Sequence, residues 1–180
     1  MRTRTLALVG GIVVLLLAQG VAAPAGTRSH TYKPPYHKGS QGGDFANLVY
    51  SDPSSGWVGV VRAYPVFNPF GCPSNGGFVT LRVVHHVVAP VRSVKVDYSN
   101  AMIDPYSFLT VGVKQGNRYL GSKEVRGPIE GSGSVVVPLV LGRARRGSSL
   151  HIDFGVEVSS ACPNVDGAVA QFDRVVVRGA

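Results

Sequence analysis

From Asp44 onward, short apolar runs alternate with breaks rich in Gly, Pro, Ser and Asn. Leu150-His151-Ile152-Asp153-Phe154-Gly155-Val156-Glu157-Val158 shows the pattern most clearly. Its Leu, Ile, Phe and Val side chains share one face of an extended chain, and His151, Asp153 and Glu157 share the other. Val94, Val96 and Tyr98 alternate with Lys95 and Asp97 in the same way. One dry and one wet face is the mark of antiparallel sheets. Val83 to Val88 is apolar at both parities and is expected to lie centrally in a sheet. Strands are predicted near 46–50, 57–67, 78–88, 93–99, 107–115, 118–125, 134–141, 149–159 and 169–177. No sustained helical period follows the first two dozen residues. About nine short strands at this spacing predict an all-β protein, an antiparallel β-sandwich with jelly-roll or immunoglobulin-like strand order.

Composition narrows this further. The 180 residues include 31 Val and 23 Gly, and only 16% are charged. Helical bundles and coiled coils, which draw on Ala, Leu, Glu and Lys, are disfavoured. Wholesale disorder is disfavoured too, because 44% hydrophobic residues can form a core. Residues 44–180 are expected to be a single domain.

The first 25 residues read differently. Arg2 and Arg4 precede an uninterrupted apolar or Gly stretch from Leu6 to Ala18, and small residues follow at Ala23-Pro24-Ala25. This is the layout of a secretory signal peptide, with cleavage expected before Gly26. The alternative, an uncleaved anchor, has an apolar core short for a spanning helix. The protein is therefore expected to be secreted, extracellular, and free of the membrane after cleavage. Removing residues 1–25 takes two Arg and no acid, and the formal charge falls from +8 to +6. The Arg, Val, Gly and Ala usage suggests a GC-rich bacterial source. Residues 26–43 have almost no aliphatic side chain and are expected to be a flexible or polyproline-like leader. Within it, His30, Tyr32, Tyr36 and His37 read as a metal- or wall-contact tag or as a solvated spacer. Export also makes a disulfide between Cys72 and Cys162 the expectation. Closing so long a loop would stabilise the fold by roughly 4–5 kcal/mol.

Candidate chemistry is sparse. The chain has no G-x-S-x-G, no H-E-x-x-H and no P-loop. His85 and His86 are neighbours on a strand and point to opposite faces, so they cannot share a metal. His151, Asp153 and Glu157 share a face, as a charged ladder or as an acid–base group. The protein is expected not to be an enzyme. Arg143, Arg145 and Arg146 form the densest positive run, in a turn; they are candidates for contact with an anionic polymer, or a solvated tip. No nucleic-acid motif is present, and no nucleic-acid partner is expected. Aromatics in turn-rich sequence are the more suggestive feature: Trp57, Tyr64 and Tyr106 are candidate glycan-binding residues. Flat rings beside amides or carboxylates suit sugars, which have an apolar face and hydroxyl edges. The competing reading puts Trp57 in the core and Phe67 and Phe70 over the disulfide.

From Val91 to Val177, the strings V-K-V-D-Y-S-N, L-T-V-G-V-K-Q-G-N-R-Y-L-G, G-S-V-V-V-P-L-V-L, S-S-L-H-I-D-F and F-D-R-V-V-V resemble the galactose-binding-like jelly roll of many carbohydrate-binding modules. The resemblance implies a glycan-binding β-sandwich. It also implies a structural calcium held partly by Asp173, with Asp44 as partner; no cofactor is otherwise required. The expected partner is an extracellular glycan or cell-wall polymer, and the expected state is a monomer. The alternative is a secreted structural or protein-interaction domain with a basic surface and no sugar site.

Overall fold

A computed structural model describes residues 28–43, 47–62, 76–140, 144–158 and 167–179. Eleven strands run through them: β1 (Ser29–Tyr32), β2 (His37–Gly43), β3 (Asn47–Asp52), β4 (Trp57–Arg62), β5 (Gly77–His86), β6 (Val91–Ile103), β7 (Ser107–Gln115), β8 (Arg118–Arg126), β9 (Ile129–Pro138), β10 (Ser149–Val158) and β11 (Ala168–Gly179). Helices are absent among the described residues. The first sheet has the order β3-β4-β11-β6-β9, with β1 also on β11; the second has the order β2-β5-β10-β7-β8. Every pairing is antiparallel. The nine strands expected from the alternation correspond to β3 through β11. The signal segment, Asp44, Tyr64, Cys72, Cys162 and Arg143 lie outside the described residues.

The core fills the space between the sheets. Leu150, Ile152, Phe154, Val156 and Val158 of β10 are all buried, as the alternation requires. Facing them, Ala168, Ala170 and Phe172 of β11 point inward. Phe154 and Phe172 meet edge to face with ring centroids 5.0 Å apart. Two register shifts keep the long strands on the core. In β11, a break between Phe172 and Arg174 moves the inward set from even to odd positions, so Val175 and Val177 are buried. In β6, a shift between Tyr98 and Ala101 does the same: Val94 and Val96 face inward before it, Ala101 and Ile103 after it. Each extra residue is a bulge, which reverses the parity of every side chain beyond it.

Two expectations are corrected. Residues 29–43 are not a free leader: β1 pairs with β11 and β2 with β5, one strand in each sheet. Pairing requires backbone groups rather than aliphatic side chains, and both strands satisfy donors and acceptors that β11 and β5 would otherwise leave open. Aromatics supply the anchors. Tyr36, at the crossing between the sheets, is buried with its ring edge-on to Phe154 at 5.0 Å. Burial pushes its hydroxyl pKa up, and Asp173 and Asp97 add to the rise. Tyr32 Oη lies 2.7 Å from Nδ1 of the buried His85. The second correction concerns Val83 to Val88. β5 is an interior strand between β2 and β10, but only one of its faces is dry. Val83 and His85 are buried, whereas Val84 and His86 are exposed.

Candidate functional site

The outer faces of the two sheets carry the candidate chemistry. On the first sheet, strand register aligns Tyr50, Gly59, Val169, Met102 and Glu130 in one row across β3, β4, β11, β6 and β9. The neighbouring row is Asp52, Trp57, Gln171 and Ser99. Tyr50 is 56% exposed and Met102 71%, and Leu48 and Val61 extend the apolar surface beyond them. A groove of about 890 Å³ runs over this face, lined by Trp57, Met102, Val169, Asn100, Asp104 and Glu130 among others.

Local sequence explains how the groove is built. Asp52 closes the β3–β4 turn, accepting from Ser54 N at 3.0 Å and from the Ser55 hydroxyl at 2.5 Å. Hydrogen bonds from Ser54 first, then Ser55, hold its carboxyl below the usual range. Gly56, at φ +81°, ends the turn and places Trp57 as the first residue of β4. Trp57 is half-buried, with Val58 and Val60 beyond it turned to the core. The β6 bulge shapes the opposite wall. Asn100 adopts φ +49°, a conformation uncommon outside glycine though most tolerable for Asn. Its amide donates to Gln171 Oε1 at 2.9 Å, and Gln171 Nε2 donates to Ser55 O at 3.2 Å. Bulges commonly re-aim side chains near functional surfaces. Asp104 is committed elsewhere: its carboxylate accepts from Tyr106 N at 2.7 Å, Ser107 Oγ at 2.9 Å and Gly167 N at 3.3 Å. Glu130 has no hydrogen bond or ion pair among the described residues, which leaves a carboxylate open to the groove.

The second sheet presents a different face. Register places Thr80, Gly155, Thr110 and Glu124 in one row, and Arg82, Asp153, Gly112 and Ser122 in the next. A trough of about 210 Å³ lies over this face, with Gly112 in its lining. At Gly155 a Cβ would stand 1.9 Å from Val79 O, so no side chain fits there. Phe78 lines one part of the trough and Tyr119 another. Asp153 is held by Arg82 through Nε at 2.6 Å and Nη2 at 3.0 Å, with Lys114 Nζ at 3.9 Å.

The expected residues therefore separate. Trp57 lines the first groove and is not a core residue. Tyr106 is 40% exposed in the turn beside Asp104 and Pro105, outside the groove lining. Arg145 and Arg146 are exposed; Arg146 Nε donates to Val88 O at 2.7 Å. Asp173 is exposed and accepts from Ser99 Oγ at 2.8 Å. Nearby, burial raises and hydrogen bonds from Lys95 and Arg174 lower the Asp97 pKa, and the lowering wins. Among the described residues, no three His, Cys, Asp or Glu stand close enough to hold a metal. Arg82 and Lys114 take up the Asp153 carboxylate, and His151 makes no hydrogen bond to it among the described residues. Tyr50, Met102, Asn100, Glu130, Thr110 and Tyr119 were not singled out from sequence. Large apolar side chains at outward parity, as in Leu48-Val49-Tyr50, were the available signal.

No protein-family model and no curated protein matches the chain. Solved structures do show likenesses. The CBM36-1 domain of a multidomain xylanase from the hindgut metagenome of Trinervitermes trinervoides is 13% identical, with 85% of this chain and 98% of that one covered, at a TM-score of 0.42. TmCBM61, solved with β-1,4-galactotriose, is 16% identical over 77% of this chain and 87% of its own, at 0.41. The Stig cyclase Fisc from Fischerella sp. TAU is 12% identical over 86% and 76%, at 0.40. The first two are carbohydrate-binding modules, the class that the strings from Val91 to Val177 resemble. At these TM-scores none of the likenesses bears on ligand or reaction.

Proposed function

We propose that this is a secreted, non-enzymatic β-sandwich that binds extracellular or cell-wall glycan on the outer face of its first sheet. The supporting observation is the groove in which Trp57 and Met102 lie beside the Asn100 amide and the Glu130 carboxylate. Aromatic and aliphatic surface suits the C–H face of a pyranose, and amide and carboxylate groups suit its hydroxyls. The groove is open and its lining comes from β4, β6, β9 and β11, a setting for a polymer segment more than for a small enclosed ligand. Trp57 carries the stacking contact, Asn100 and Glu130 the polar ones.

A second reading is favoured by the exposure of Leu48, Tyr50 and Met102. A contiguous apolar face of this kind also suits a protein partner. Sedimentation of the protein with insoluble cellulose, xylan, galactan, chitin and bacterial cell wall separates the two. Glycan binding predicts retention on at least one polymer and a loss of about tenfold in affinity for Trp57→Ala, equivalent to about 1.4 kcal/mol. Failure to bind any of them leaves the protein-interaction reading. Retention that vanishes at about 0.5 M salt and with Arg145→Ala would assign the contact to exposed charge instead.

A further inference from the structure

We infer that the trough on the second sheet is a second, separate binding site for a neutral sugar ring, so that one molecule holds two glycan segments on opposite faces. The inference rests on the glycan reading of the first face and extends it.

Three features of the trough carry this. The first is shape. Gly112 lines the trough and offers backbone in place of a side chain, with Phe78 and Tyr119 also in the lining. Tyr119 is 58% exposed and its ring comes near Gly112, where a Cβ would stand 3.3 Å from Cε1. Lys114 Nζ sits 4.4 Å from the centroid of the same ring and helps fix it in place. The space is about a quarter of the first groove's, fit for one ring rather than a run of them.

The second is charge. Arg82 borders the trough, and Lys114 and Lys123 line it with Asp153, Glu124 and Glu157. Counting Arg82, three positive and three negative groups balance in formal charge, which favours neither an anion nor a cation. The third is hydrogen-bonding capacity. Asp153 is fixed by its bonds to Arg82, whereas Thr110, Ser122, Lys123, Glu124 and Glu157 have no side-chain hydrogen bond or ion pair among the described residues. Donors and acceptors of balanced formal charge, with an aromatic edge, match a polyhydroxylated neutral ring. An apolar ligand would leave these groups unsatisfied at a cost of about 1–3 kcal/mol for each one buried. Because the two faces look away from each other across the core, one glycan segment cannot occupy both.

The test is calorimetric titration of the intact protein with hexasaccharides of β-1,4-linked glucose, xylose, galactose and N-acetylglucosamine. Wild type, Trp57→Ala, Tyr119→Ala and Thr110→Trp, which fills the trough while leaving the Tyr119 ring, are compared. The expected result is two ligands per chain for wild type and one for each variant, with the surviving site differing between Trp57→Ala and the two trough variants. Wild type should also cloud a solution of the corresponding soluble polymer by cross-linking, and each variant should fail to do so. A wild-type stoichiometry of one, abolished by Trp57→Ala and unaffected by Thr110→Trp, would overturn the second site while keeping the first. No binding by wild type to any hexasaccharide would overturn both.

Discussion

The two outer faces start from the same alternation yet end in different chemistry. Both sheets turn Val, Leu, Ile and Phe inward, with Ala and Tyr36 completing the sandwich core. Outward positions are under no such demand. On the first sheet they retain Leu48, Tyr50, Val61 and Met102, a flat apolar surface interrupted by a bulge. On the second they carry Thr, Ser, Lys and Glu around Gly112, with Phe78 and Tyr119 at the sides. The inward half of each strand thus specifies the fold, and the outward half is free to specify what the protein meets. Bulges and mid-strand glycines occur in both sheets: a shift at Tyr98/Ala101 marks the first face and one at Val113/Lys114 the second.

Paired glycine substitutions should expose that difference most strongly. Gly155→Ala puts a methyl group against Val79 O in the middle of the second sheet. It is expected to cost about 3 kcal/mol, the upper end for overpacking, read as a lowered unfolding midpoint in urea. Gly59→Ala on the first sheet meets Val169 Cγ2 at 3.2 Å, a side-chain methyl able to give way, and Ala168 O at an ordinary 3.7 Å. Its effect should stay within about 0.5 kcal/mol. Equal losses for the two would break the contrast between a floor closed by backbone and one bordered by side chains.

Next in size are polar and apolar truncations on the same two faces. Asp153→Ala removes the paired hydrogen bonds to Arg82 and is expected to destabilise by about 1–3 kcal/mol. Met102→Ser should leave stability nearly unchanged, because the side chain is mostly in water, while weakening glycan retention. Thermal melts read the first effect and polymer sedimentation the second.

The smallest expected effect is a pH dependence. Burial first, and then the charges of His30 and His86, lower the His85 pKa from its ordinary 6.5. The unfolded chain therefore binds this proton more readily than the folded one does. Stability should fall as pH drops below about 6.5 and level off once it passes the lowered folded value. His85→Gln should flatten that part of the curve; an unchanged slope would remove His85 from the account.

Much of the fold was legible because β10 alternates without exception from Leu150 to Val158, and β3 through β11 follow the same rule closely enough to be seen. β1 and β2 were not legible: T-Y-K-P-P-Y-H-K-G-S-Q-G-G carries no aliphatic alternation, and edge pairing leaves no mark on side-chain composition. Trp57 was visible as a lone aromatic after a turn. Its partners were not, since Asn100 depends on a bulge and Glu130 reaches the groove only through register across β6 and β9. Gly112 stood in plain view, but a mid-strand glycine signals a trough only once the neighbouring strands are known.

Trp57 is the single tryptophan of the chain, so intrinsic tryptophan fluorescence reports on the first face alone. Titration with the β-1,4-linked hexasaccharides is expected to give a saturable change in its intensity with a shift to shorter wavelength, as a sugar displaces water from the half-buried ring. A spectrum unmoved by every sugar, including any whose binding calorimetry detects, would contradict the placement of the glycan site on this face.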